Sequence, residues 1–581
     1  MLGMVNPLLM LLVRRPAQGA SKLRRVRVDT PTDIPTTDAI FLVLRRMRGP
    51  LIVLITTFSV SVLGLSLIPG RDAAGNPHQL TLFDAFYVIS YTATTIGFGE
   101  LPYPFTSLQR MWVTVAIYAS VLGWAYAIGV LLSLVQEPAF REALHNQQFR
   151  RRVRRLDEPF VILAGYGQAG RRIGLALDAL HRRFVVVDSD PRRISALVTD
   201  ALTVDTPGLD GSAANPAVLG MAGLSQRHCR GVIAVTDDDE TNLAVVMAVN
   251  LLRPEVPVIA RCSDRAVAER MLDFDPGAVI NPYDRYGAYL TLALLKPVTH
   301  QLVSWLMNEP GTPMPPRREG LGCGRWVVVA DDRFGQEVAH DLRRAGMQVT
   351  VVDPADGHPD VQGAVGFVAG AVRDATNLAV AAHARHDNSD LFICVRQSTI
   401  RNEALLAAFD PDSVFIPTQL VAKEMMARIV DPHLWEFLEA AIEQPQEWAK
   451  EVFTALRSRV GSATPSTTLL TLDTRQAPAV ARWLRTGELT LSQLLADPDD
   501  RAQRLPVAPL GIIRDEHAMY APDPDEPLQA GDRLFLCGRD VGLDALTGSL
   551  YSDSAVEYLA TGQRVPATWV FRLLTGHHRR H

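Results

Sequence analysis

Cysteine is scarce in this chain of 581 residues. The five thiols, Cys229, Cys262, Cys323, Cys394 and Cys537, lie far apart, and no Cys-x-x-Cys pair occurs. That spacing supports neither a zinc site nor a disulfide framework, so reduced cytosolic thiols are expected. Positive charge is not in excess either. The formal net charge is −5, and nothing global points to nucleic acid. A signal peptide is not evident: the apolar run Val5–Val13 is short and no basic residue precedes it. Apolar side chains, by contrast, are plentiful. At 48% hydrophobic and 21% charged, the chain is too apolar for wholesale disorder. Its length suits three to four domains of about 100–200 residues each.

Two uncharged runs stand out, Leu51–Ile68 with 18 residues and Met111–Val135 with 25. A hydrocarbon core about 30 Å thick needs roughly 20 helical residues, so both read as membrane spans. Arg14, Arg15, Lys22, Arg24, Arg25, Arg27, Arg45, Arg46 and Arg48 precede the first span. Arg141 and the Arg150–Arg155 cluster follow the second, while only Arg71 and Arg110 lie between them. The expectation is a multi-pass protein of the cell (inner) membrane with both termini cytoplasmic. The Arg150–Arg155 cluster reads as lipid-headgroup contact rather than as a nucleic-acid site.

The segment between the spans is not an ordinary loop. Thr81–Thr95 is apolar or hydroxyl-bearing, with Asp84 its one formal charge, and fits a helix too short to cross. Thr94-Thr95-Ile96-Gly97-Phe98-Gly99-Glu100 follows. Its glycines open backbone conformations that other residues avoid, so that carbonyls can face one axis. Non-helical backbone at membrane depth is tolerated only inside protein or against a water-filled cavity. Here the chain resembles the potassium-channel family and its Thr-Val-Gly-Tyr-Gly filter. The resemblance implies a homotetramer around one pore. It also implies that Thr95, Ile96, Gly97, Phe98 and Gly99 form the K+ filter, with the Thr95 hydroxyl and the carbonyls of Thr95–Phe98 replacing the ion's water. Phe98 stands where the family has Tyr, and Glu100 where Asp is usual. A weakly selective cation channel therefore stays open as an alternative. Gly123, in the second span, is a candidate gating hinge, with close helix packing as the competing role.

After Pro159 strands and helices alternate. The strand Phe160–Ala164 runs into Gly165-Tyr166-Gly167-Gln168-Ala169-Gly170 and a helical stretch to Leu180; the strand Phe184–Val187 then closes on Asp188. This is the Gly-x-Gly-x-x-Gly nucleotide fingerprint in its strand–turn–helix context. Gly165 would permit the turn, Gly167 the approach of a pyrophosphate, and Gly170 close packing of helix on strand. Asp188 would accept ribose hydroxyls, favouring NAD(H) or an adenine nucleotide. A further strand, Gly231–Thr236, ends in Asp237-Asp238-Asp239-Glu240-Thr241-Asn242, either a cation site such as one for Ca2+ or an acidic helix start. Asn281-Pro282 opens a long helix expected to reach Leu306.

The pattern then repeats. Trp326–Ala330 matches Phe160–Ala164, Val349–Asp353 matches Phe184–Asp188 at an offset of 165, and Phe415-Ile416-Pro417 opens a second long helix expected to run to about Ala440. The second copy has lost the fingerprint. Ala330-Asp331-Asp332-Arg333-Phe334-Gly335 keeps only Gly335, and its two acids would repel a pyrophosphate.

The whole resembles two-span prokaryotic potassium channels carrying RCK (regulator of potassium conductance, TrkA-N-like) domains. The implied fold is a membrane α-helical pore domain, of two spans plus a re-entrant pore helix, followed by two tandem α/β Rossmann-like RCK domains and a small α+β C-terminal lobe. Expected boundaries are a basic N-terminal segment at 1–48, the pore domain at 49–137, a linker at 138–158, the first RCK domain at 159–308, a linker at 309–324, the second RCK N-lobe at 325–445, the C-lobe at 446–545 and a tail at 546–581. Ser212 stands where the family usually has Asp. The expected function is a ligand-gated potassium channel, with no enzymatic activity, whose gating ring responds to nucleotide. Membrane lipids are expected partners, and nucleic acid is not. A membrane-tethered NAD-dependent oxidoreductase, or a regulatory subunit without a pore, would use the same fingerprint but leave Thr94–Glu100 without a role.

Overall fold

The computed structural model describes residues 30–31, 39–72, 75–99, 103–136, 138–317 and 324–564. Glu100, Cys323, nearly all of the basic segment before residue 39 and the last 17 residues of the tail lie outside the described residues.

The two uncharged runs form long helices, Ala39–Leu67 and Ser107–Gln136. Arg45–Leu67 and Ser107–Leu134 are apolar and long enough to cross a membrane. The helices touch where Gly64 faces Trp112; a methyl at Gly64 would lie 2.0 Å from the indole. The Trp112 indole N–H donates to the Ser61 carbonyl at 3.0 Å. Small residues let apolar helices approach this closely. Much of the rest of both surfaces is exposed and apolar, Ile55, Tyr118 and Leu122 included. Between the helices lie a two-stranded hairpin, β1 (Gly70–Arg71) and β2 (Pro77–His78), and a short helix, Leu82–Ala93. Thr81 caps that helix by accepting from the Asp84 N–H at 3.1 Å. The helix Pro138–Arg154 then links the second long helix to the first sheet.

That sheet contains β3 (Phe160–Ala164), β4 (Arg183–Asp188), β5 (Gly208–Asp210), β6 (Cys229–Ala234), β7 (Val258–Arg261) and β8 (Ala278–Ile280), all parallel, in the order β5-β4-β3-β6-β7-β8. This is the doubly wound dinucleotide-fold order, with β3 and β6 at the switch point. The second sheet contains β9 (Arg325–Val329), β10 (Gln348–Val352), β11 (Ala364–Ala369), β12 (Phe392–Arg396) and β13 (Ser413–Phe415), in the order β10-β9-β11-β12-β13. It is the same sheet without the β5 position. Where the first unit inserts the helix Pro191–Thr199 and β5, the second has only the short turn Pro354–Asp356. The internal offset falls accordingly, from 165 before this point to 135 after it. Asn242 and Asn377 are the paired landmarks: each amide donates to the carbonyl six residues before it and to the carbonyl at the end of the next strand.

The two long helices expected after Pro282 and Pro417 are each broken in two. The first stops at Leu295 and restarts at Pro297; the second stops at Val430 and restarts at Pro432. Both breaks have nearly the same backbone, φ −134° and ψ 66° at Lys296, φ −135° and ψ 73° at Asp431. Proline removes a helical N–H and pushes the residue before it out of the helical region. A run of apolar periodicity concealed both breaks.

The helix pairs join the two units. Val421 and Met425 of the second unit are buried with Ile173 and Leu177 of the first, and Tyr286 and Leu290 of the first are buried with Trp326 and Phe334 of the second. Each unit thus lays a helix on the other's sheet layer. The C-terminal lobe is an antiparallel sheet of β14 (Ser466–Thr471), β15 (Val507–Arg514), β16 (His517–Tyr520) and β17 (Arg533–Gly538), in the order β14-β17-β15-β16. Its core includes Trp305 and Phe437 from the two broken helices alongside Leu510 and Phe535. The boundary expected at 545 falls inside the helix Asp540–Leu550, and Leu550 and Val556 belong to the lobe's core. The lobe runs on to at least Thr561 because the helix Asp553–Thr561 covers it.

Candidate functional site

Two places gather the residues singled out in the sequence. The first is the turn after the helix Leu82–Ala93. Thr95, Gly97 and Gly99 have φ of 63°, 64° and 73°, and Ile96 and Phe98 between them do not share this conformation. Alternation of this kind can turn successive carbonyls to one side of the chain. For Thr95 it is a costly conformation, of the kind kept where surrounding structure enforces it. The enforcement is visible: the N–H groups of Ile96 and Gly97 both donate to the Tyr91 carbonyl, at 3.0 and 3.1 Å. The Phe98 ring meets Tyr91 edge-on at 6.3 Å. Ile96 and Phe98 are 60% and 66% exposed in the single chain, so this turn presents its apolar side chains outward. Gly123 lies within the unbroken helix Ser107–Gln136, where an added methyl would come 3.3 Å from Leu54 of the other long helix.

The second place is the turn between β3 and the helix Gln168–Ala179. Gly165 has φ 101°, and a methyl there would strike the backbone of Val235 and Thr236 at 2.8–2.9 Å. At Gly170 a methyl would lie 1.9 Å from the Gly165 carbonyl oxygen. Gly167 differs, since its φ of −72° suits any residue. It is the residue before the helix and offers no capping side chain, so the first-turn N–H groups of Gln168, Ala169 and Gly170 take no cap from it, and a helix start of this kind suits an anion. A methyl on Gly167 would approach the Arg193 guanidinium at 3.3 Å. The cradle therefore fits a phosphate.

Asp188 is buried and braces this turn. It accepts from the Tyr166 N–H at 2.6 Å and the Asp190 N–H at 2.8 Å, and pairs with Arg193 at 3.3 Å. A ribose reaching its carboxylate would displace Arg193, the partner on the open side. Tyr166 points away, its hydroxyl donating to Asp200 at 2.9 Å. Burial, and then that hydrogen bond, hold the phenol's pKa well above the usual range. Arg193 and Arg261 complete the crevice, each reaching Asp237, at 3.5 and 3.2 Å. Sequence reasoning missed both arginines. Their only signal was position, Arg193 five residues past Asp188 and Arg261 at a strand end.

The acidic run resolves into structural contacts. Asp238 accepts from the Thr241 N–H as a helix cap, Asp239 accepts from the Ser263 and Asp264 N–H groups, and Glu240 pairs with Arg270. Among the described residues no cluster of three or more His, Cys, Asp or Glu is placed to hold a metal. In the second unit the matching crevice is filled from within. Asp332 caps the helix Arg333–Arg344 and takes the Arg396 guanidinium at 2.7 Å. That guanidinium also lies over Tyr283 and Phe334, 5.2 and 5.1 Å from the ring centres.

Residues 161–282 match the TrkA-N domain model. The chain is 26% identical over 218 residues to "Potassium channel protein 1" of Methanocaldococcus jannaschii, a match covering 37% of this chain and 63% of that protein. It is 21% identical over 237 residues to "Voltage-gated potassium channel Kch" of Escherichia coli K12, covering 40% of this chain and 55% of that one. Among solved structures, "GsuK channel bound to NAD" is 15% identical and covers 88% of this chain and all of that one, with a TM-score of 0.40.

Proposed function

We propose that this chain, which carries a TrkA-N domain and is similar to prokaryotic potassium-channel proteins, is the subunit of a homotetrameric, nucleotide-gated potassium channel rather than an enzyme. The observation that carries this reading is the alternation of φ at Thr95, Gly97 and Gly99 in a turn held between two membrane-length helices. Four such turns around one axis would line a path with carbonyl oxygens that replace the water of K+. The helix Leu82–Ala93 would then be the pore helix, and the exposed Ile96 and Phe98 would face neighbouring subunits. The arginine bias on either side of the spans supports cytoplasmic termini in the cell membrane.

The two parallel-sheet units are read as tandem RCK domains. An NAD(H) or adenine nucleotide would place its phosphates on the N–H groups after Gly167. The helix that begins there packs directly on the second unit through Ile173, Leu177, Val421 and Met425. A ligand at the turn thus bears on the packing between units, and the helix Pro138–Arg154 carries that change toward the second span. Gating needs unequal affinity of the ligand for open and closed rings, because equal affinity shifts nothing.

Planar-bilayer recording of the purified protein tests both halves. A current reversing near the K+ equilibrium potential, and altered by NAD(H) or ADP on the cytoplasmic side, is expected. Reversal midway between the K+ and Na+ potentials would replace this reading with a weakly selective cation channel, the reading that the missing hydroxyl at Phe98 favours.

A further inference from the structure

A cavity of about 450 Å³ lies outside both places described above, between the end of the linker helix Pro138–Arg154 and the turn that precedes β6. Arg150 and Arg154 enter its wall from the helix, Gln226, Arg227 and His228 from the turn, and Gly220 from the short helix behind it. Asp157 is the one carboxylate on the wall. The two sides are fastened together where the Gln226 amide donates to the Val153 carbonyl at 3.3 Å; within the turn, the Arg227 guanidinium donates to the His228 ring at 2.8 Å. Among the described residues no carboxylate lies within ion-pair distance of Arg154 or Arg227. Arg152, on the same helix but off the cavity, pairs with Asp205.

We infer that this cavity binds an organic phosphate, a phosphate ester on a small polar body, supplied by an anionic lipid headgroup or by a soluble phosphorylated metabolite. Guanidinium groups recognise phosphate oxygens through paired hydrogen bonds, and Arg150, Arg154 and Arg227 all line this one concave site. Cavities of this size hold small organic ligands rather than bare ions. Gly220 leaves no room for a side chain, because a methyl there would strike the Pro31 carbonyl oxygen. An occupant would bridge the linker helix and the first sheet, and so fix the angle at which the one leaves the other. Nothing in this inference depends on ion conduction or on the glycine turn.

The test uses the full-length protein in nanodiscs of phosphatidylcholine, with glycerol phosphate as the probe in calorimetry. Saturable binding is expected. R154Q/R227Q should weaken it about tenfold or more, as loss of charged hydrogen bonds does. R151Q/R230Q removes the same charge from the linker helix and from β6, outside the cavity, and should stay within about twofold. Circular dichroism and the thermal unfolding midpoint control for folding. Adding phosphatidylglycerol to the nanodiscs separates the sources: competition with glycerol phosphate assigns the site to a lipid headgroup, and undiminished binding assigns it to a soluble ligand. Equal weakening in both double variants, no weakening in either, or no saturable binding overturns the inference.

Discussion

Asp332 occupies in the second sheet unit the position that Gly167 occupies in the first, immediately before the helix that follows the leading strand. The Asp332 carboxylate caps its helix at the Phe334 N–H, 3.1 Å away, and holds Arg396. Gly167 leaves the same place open. One fold thus appears twice in the chain, once with its anion cradle exposed and once with a carboxylate and a guanidinium filling it.

Gly167→Asp should convert the first cradle into a copy of the second. Aspartate is a good helix cap, the φ of −72° accepts it, and Arg193 stands ready to pair with it. Folding should be retained while NAD or ADP affinity falls by about tenfold or more. Calorimetric titration beside a circular-dichroism spectrum reads both, and undiminished affinity refutes the site.

Arg396→Gln should destabilise the second unit by about 3–5 kcal/mol. It leaves Asp332 without its partner and removes a cation from the faces of Tyr283 and Phe334. Denaturant unfolding should show the loss, with NAD affinity at the first unit little changed. A stability within about 0.5 kcal/mol of the parent would show that the pair carries no weight.

Gly97→Ala should abolish conduction and spare nucleotide binding. Its φ of 64° is one that alanine adopts only at a cost of about 1–2 kcal/mol, and in the proposed tetramer the methyl would intrude where four chains converge. Single-channel recording decides, and normal currents would disprove the pore assignment.

Asp341→Asn should remove a pH dependence of stability. The carboxyl is buried against Gly287, and neither oxygen has a hydrogen-bond partner. Burial pushes its pKa up to about 8; Asp284 and Glu337 act in the same direction and Arg344 and Arg265 oppose them. An unfolded chain releases this proton near pH 4, whereas the folded chain keeps it to about pH 8. Across that window the folded state holds the extra proton, so stability falls as pH rises and levels off above it. The variant should match the parent near pH 4 and gain on it steadily to several kcal/mol, roughly 1.4 kcal/mol per pH unit, by pH 8. Unfolding midpoints across this range are the check; an advantage that does not grow with pH would mean the carboxyl titrates normally.

The sequence by itself determined the two membrane-length helices, the Thr95–Gly99 turn, the Gly165–Gly170 fingerprint and the internal repeat. All of these are local: a run of apolar residues, or glycine at a fixed spacing, restricts the backbone wherever the rest of the chain goes. The tertiary structure alone decided what lies across from them. Arg396 is 64 residues from Asp332, Val421 is nearly 250 from Ile173, and the cavity joins Arg154 to Arg227. Such pairings depend on how two twisted sheets exchange helices, and on where Pro297 and Pro432 bend those helices. Apolar periodicity hid the bends, because a broken helix and a continuous one bury the same stripe of side chains.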